Sequence, residues 1–266
     1  SHHWFGDLVT CSDAGDMWLN EGWAVFCEYV FEEDLYGKKA YHDYVNKKHN
    51  DVIQKTHVTD SGYYALSGVP HRITYGSTVY EKGGLVVNTL RNYLGDSLFF
   101  TAVKSYLNDY AFKDASSANL RDYLQTKTGV DLNAFFDGWV FSPGFPLFSV
   151  DSMGTQINGN DTYVNLRIGQ KQRGSNHIWE QNRLPITFLG ANGLSYTTVV
   201  NQSGKSSIAT AKIPFNPIAA LIDKENNIAD ATTDYYDVIK STGSKTYVNA
   251  SLKLNTKTIT DSARIM

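Results

Sequence analysis

The segment Ser142-Pro143-Gly144-Phe145-Pro146 divides this chain, because two prolines and a glycine within five residues cannot continue a helix. The hydrophobic period changes across it. Before the break, apolar residues recur at every third or fourth position: Trp18, Val25, Phe26, Tyr29 and Val30, then Tyr80, Val87, Leu90 and Leu94, then Phe99, Val103, Tyr106 and Tyr110. Helices are expected over 13–36, 39–55, 80–94, 117–127 and 131–141, with one more capped by Asp96; Gly37 and Gly95 mark two of the stops. After the break the period is two. Short runs at 147–150, 162–168, 185–189, 195–200, 206–213 and 218–222 are separated by Asn-Gly, Gly-Ser and Ser-Gly turns, as in an antiparallel sandwich.

The expected class is therefore multidomain α+β, with a helical domain at 1–145 and an all-β sandwich at 146–226. A further β-rich segment at 227–266 stops without a turn or cap. Charge follows the same division. Residues 1–145 carry 12 Lys and Arg against 18 Asp and Glu, a net of -6, and residues 146–266 carry 12 against 9, a net of +3. With an overall formal charge of -3 and no basic stripe, nucleic acid is not an expected partner. No apolar run approaches the ~20 residues of a membrane helix. Cys11 and Cys27, the two cysteines, are expected as free thiols buried in apolar helical stretches.

The chemistry-bearing pair is His2 and Glu21, with eighteen residues between them. In a His-Glu-x-x-His helix, two imidazoles one turn apart bind zinc and the glutamate after the first serves as general base. Ser1-His2 reads as the last two letters of such a motif, which would place the first His and the Glu ahead of the first residue. His2 is then a helix-borne ligand, and Glu21, in Trp18-Leu19-Asn20-Glu21-Gly22, is a carboxylate ligand from the next helix.

With His2-His3-Trp4-Phe5-Gly6 at one end and Asn20-Glu21-Gly22 at the other, the chain resembles the gluzincin aminopeptidases, the family of aminopeptidase N and the leukotriene-hydrolysing enzyme. Tyr80-Glu81-Lys82-Gly83 resembles that family's Tyr-x-Lys-Gly helix start, and the stretch from Trp139 to Pro146 resembles its join to a small β-sandwich. The resemblance implies the helical half of a thermolysin-like catalytic domain, a Zn2+ cofactor held by His2 and Glu21, and peptide substrates cut at their N-terminal bond. It implies Tyr80 as the donor to the oxyanion, with Tyr75 as runner-up, and Glu28, two turns beyond Glu21, as a second hydrogen-bonding support for a ligating His. Its Gly-x-Met-Glu-Asn amine-binding strand does not occur in these residues, so the missing N-terminal part of the same protein is an expected partner. The chain alone is expected to be inactive.

Gly83-Gly84 within a helix is expected to mark close packing against another helix, not a phosphate loop. His3, His42, His49, His57, His71 and His177 show no mutual ligand spacing and are expected in loops or on the surface. A non-catalytic peptide-binding relative, or an epoxide hydrolase on the same zinc site, would share the pattern. An adhesive role for 146–266, and an extracytoplasmic bacterial location, rest on the Asn-, Thr- and Ser-rich composition of the sheet portion alone.

Overall fold

A computed structural model describes residues 2–159, 161–232, 235–240 and 246–252. The chain forms two compact units: one comprises 1–145, 172–179 and 225–233, the other 146–171, 180–224 and 234–266. The sequence break at 142–146 thus falls at the first passage between units. The returns of 172–179 and 225–233 to the first unit have no local signature.

The first unit is helical. Strand β1 (Val9–Cys11) leads into a 3-10 turn at Ala14–Asp16 and then α1 (Trp18–Tyr36). Helix α2 (Lys38–Asp51) runs on as a π-turn over Val52–Thr56 and a short α3 (His57–Thr59). A second π-turn at Thr78–Lys82 opens directly into α4 (Gly83–Leu94), followed by α5 (Asp96–Asp109), β2 (Lys113–Ala115), α6 (Ser117–Thr128) and α7 (Asn133–Trp139). Its core is aromatic. Trp23 stacks on Phe5 at 4.7 Å and on Phe99 at 5.9 Å, and Trp18, Tyr29, Leu90, Leu120 and Phe136 are fully buried around them.

Three local expectations fail for physical reasons. Asp96 does not cap α5; Gly95 holds the cap position, and the Asp96 carboxylate instead receives Arg91 Nε at 2.7 Å and Nη2 at 3.0 Å. Cys11 lies in β1, which pairs in parallel with β2 from more than a hundred residues away. Asn20 fixes that strand to α1, its Oδ1 accepting from Cys11 N at 2.9 Å and its Nδ2 donating to Thr10 Oγ1 at 3.0 Å. Both cysteines are free and half-buried. His49 is buried within α2, with Nε2 2.8 Å from the Asp230 carbonyl, and burial lowers its pKa to about 4.

The second unit holds two sheets. One has the order β3-β4-β7 (Phe145–Asn158, Asp161–Arg173, Ser206–Ile213) and the other β10-β9-β8-β5-β6 (Thr246–Leu252, Tyr235–Lys240, Pro217–Ile222, Asn182–Gly190, Ser195–Gln202). Alternation decides which residues are buried: Phe148 and Val150 on β3, Val164, Leu166 and Ile168 on β4, and Leu184, Ile186 and Phe188 on β5. Strands β9 and β10 extend the sheet of β5, β6 and β8. Residues 253–254, expected to continue the last strand, lie outside the described residues.

No described helix is long and apolar enough to cross a membrane.

Candidate metal and catalytic site

Two glycines set the geometry. Where α1 passes the start of α4, a Cβ placed on Gly22 would lie 2.9 Å from Gly83 Cα and 3.1 Å from the Val79 carbonyl; one on Gly83 would lie 2.9 Å from Gly22 Cα. Real Cβ atoms do not tolerate such distances to backbone, so the crossing exists only because both positions lack one. Glu21 precedes one glycine, and Tyr80 lies one turn before the other. The close crossing therefore sets the helical turns that carry Glu21 and Tyr80 side by side. At the next position, a Cβ on Gly84 would lie 2.5 Å from Val25 Cγ1, which is the close helix packing that the Gly83-Gly84 pair implied.

Glu21 is buried in the first turn of α1. Its Oε2 has no hydrogen-bond partner and faces His2 Nε2 at 3.4 Å. His2 lies in a turn and not in the expected helix, and its carbonyl accepts from Asp7 N at 2.9 Å. Ser1 lies outside the described residues. A buried carboxylate oxygen without a hydrogen-bond donor is unfavourable, and His2 Nε2 at 3.4 Å makes no hydrogen bond to it. A divalent cation between the two resolves both, and imidazole nitrogen plus carboxylate oxygen is a donor set that zinc accepts. The residues present fit such an ion. Among the described residues, no group of three or more His, Cys, Asp or Glu converges on a common point.

Tyr80 sits half-buried within the π-turn, a local widening of the helix that recurs at functional positions. Burial first, and the charge of Glu21 second, push its phenol up to about 12, so it keeps its proton at neutral pH. The turn is held from outside: Asp60 Oδ1 accepts from Ser77 N at 2.9 Å, and Oδ2 accepts from Thr78 N at 2.6 Å and Thr78 Oγ1 at 2.5 Å. Lys82 is buried and donates from Nζ to the Tyr64 carbonyl at 3.0 Å, and burial lowers its pKa to about 7.

The other candidates are placed elsewhere. Tyr75 is 70 % exposed in the turn before Gly76. Glu28 is exposed and accepts from Tyr44 Oη at 3.0 Å, which ties it to α2. Glu81 is held by Lys48 Nζ at 3.0 Å. Asp60 and Lys82 escaped the sequence reading. Asp60 bonds residues seventeen and eighteen positions on, with no local pattern, but Lys82 stands inside Tyr-x-Lys-Gly and its place within a packed helix was a usable signal.

Residues 1–139 match the model of the peptidase family M1 domain. Aminopeptidase N of Lactococcus lactis subsp. lactis is 27% identical over 212 residues, covering 71% of this chain and 23% of the relative. The probable M1 family aminopeptidase 1 of Encephalitozoon cuniculi is 27% identical over 169 residues, covering 59% of the chain and 19% of the relative. Tricorn protease-interacting factor F2 of Thermoplasma volcanium is 24% identical over 256 residues, covering 86% and 30%. The chain thus spans between about a fifth and a third of the length of these relatives. The crystal structure of Legionella pneumophila aminopeptidase A in complex with aspartic acid superposes with a TM-score of 0.62 at 18% identity, over 86% of this chain and 25% of that one, a likeness of fold. With the family model matching more than half of the residues, this chain belongs to peptidase family M1.

Proposed function

We propose that the full-length protein is a zinc-dependent aminopeptidase that removes N-terminal residues from peptides, with His2 and Glu21 as two of the three metal ligands. The observation that carries this reading is the buried Glu21 Oε2, without a hydrogen donor and 3.4 Å from His2 Nε2. Membership of family M1 and the aminopeptidase names of its relatives supply the reaction class.

Zinc, when bound, supplies a Lewis acid that makes water nucleophilic at neutral pH and polarises the scissile carbonyl. The chain's own residues do the rest. His2 and Glu21 would hold the ion. Gly22 and Gly83 set the distance between the Glu21 carboxylate and the Tyr80 phenol. Tyr80 donates its hydrogen bond to the substrate carbonyl oxygen as negative charge develops there, a contribution typically worth ~10²–10³ in rate. The third ligand and the general base come from chain outside these 266 residues, so the 266-residue piece alone is inactive.

Two preparations test this. The natural full-length polypeptide is expected to release an amino acid from an amino-acid amide, to lose that activity with a chelator and to regain it with zinc, while the 266-residue chain releases nothing. Chelator-sensitive release by the shorter chain, or none by the zinc-loaded longer one, refutes it.

A further inference from the structure

We propose that Asp60 is a positioning residue for Tyr80, setting the phenol against the Glu21 carboxylate through the turn that carries it. This rests on the role given to Tyr80 above.

Asp60 is buried and follows α3, eighteen residues before Thr78. Its two carboxylate oxygens accept three hydrogen bonds, from Ser77 N, Thr78 N and Thr78 Oγ1. Those amides belong to the first turn of a continuous helical stretch, the π-turn at Thr78–Lys82 and α4, and the cap residue Ser77 makes no side-chain capping bond of its own. A helix start leaves its first N–H groups without intrahelical acceptors and carries partial positive charge. Asp60 satisfies both needs from another element. The backbone is shaped to receive it: a Cβ on Gly76 would lie 2.8 Å from Asp60 Oδ1.

The anchoring element is itself held. The Asp60 carbonyl accepts from Arg72 Nη1 at 3.2 Å, the Arg72 guanidinium bonds the Tyr64 hydroxyl, and the Tyr64 carbonyl accepts from Lys82 Nζ at 3.0 Å. Segment 60–64 is thereby bonded to residues on both sides of Tyr80, two positions before it at Thr78 and two after it at Lys82. A π-turn is a rare local departure from the α-helix, and these bonds from segment 60–64 hold it on both sides. Asp60 touches neither ligand nor substrate; it acts through Tyr80.

The test is a double-mutant cycle on the zinc-loaded, full-length protein, with kcat and KM measured on an amino-acid amide and zinc measured by atomic absorption. Asp60→Asn keeps the size but replaces one acceptor by a donor facing donors. It is expected to lower kcat about 10- to 100-fold, with KM changed less than about 3-fold and zinc content unchanged. In a Tyr80→Phe background the same substitution is expected to cost less than about 2-fold more, since the group it positions is gone. If Asp60→Asn does not fold, Thr78→Val, which removes one of the three bonds and keeps the shape, carries the same cycle with a smaller kcat loss. Equal losses with and without the Tyr80 hydroxyl, a rise in KM in place of a fall in kcat, or loss of zinc would overturn the inference while leaving the peptidase reading standing. A zinc-loaded wild type without activity, or a fully active Tyr80→Phe variant, would remove the reading and the inference together.

Discussion

Gly22 of α1 and Gly83 of α4 meet backbone to backbone, each so close that a Cβ on one would stand 2.9 Å from the Cα of the other. Gly22 directly follows Glu21 and Gly83 lies one turn after Tyr80, so the positions that let the helices touch stand beside both candidate residues. Gly83→Ala is expected to destabilise the protein by about 1–3 kcal/mol, because the added methyl meets backbone and no side chain can move aside. It should also lower kcat more than KM by forcing Tyr80 away from Glu21. Denaturant melts and steady-state kinetics on the full-length protein check both; an unchanged melt and unchanged kcat would show that the crossing has slack.

Tyr80 and Tyr75 separate the two candidate oxyanion donors. Tyr80→Phe is expected to lower kcat by about 10²–10³. Tyr75→Phe, on a side chain that is 70 % exposed, should leave it within about 3-fold. The reverse ranking would reassign the role.

The helices around Tyr80 show what could be read in advance. The helical period, its change to two after Pro146, and the Glu21 and Tyr80 motifs are local patterns, and a local pattern survives in a bare sequence. The close helix packing at Gly83-Gly84 is legible too, whereas Gly22 as its partner is not. Three features rest on partners far along the chain. β1 pairs with β2, His49 reaches Asp230, and Asp60 reaches Thr78. Asp60 looks like any loop aspartate, and the burial of His49 depends on the return of 225–233 to the helical unit.

His49 makes folding sensitive to acid. Its pKa falls from 6.5 to about 4 because burial disfavours the charged ring. Between those values the unfolded chain binds a proton there that the folded chain does not, so stability falls as pH drops from 6.5 toward 4. From pH 6 to 4.5 the loss is expected to be about 1–2 kcal/mol. Urea melts at these two pH values should show a smaller difference in His49→Gln, and an identical pH dependence would remove His49 as its source.

Lys82 acts on the alkaline side. Burial lowers its ammonium from 10.5 to about 7. Between about 7 and 10.5 the unfolded chain again holds the extra proton, so stability rises with pH. The rise from pH 7.5 to 9.5 is expected to be about 2 kcal/mol and to vanish in Lys82→Met. A Lys82→Met protein with the same alkaline rise would contradict this.

The central claim is that the His2 imidazole and the Glu21 carboxylate hold one zinc ion. Anomalous diffraction at the zinc edge, on crystals of the natural full-length protein, tests it most directly. A single peak is expected about 2.0–2.2 Å from both His2 Nε2 and a Glu21 carboxylate oxygen. A peak bound elsewhere, or zinc-saturated crystals with none between these two side chains, would contradict it.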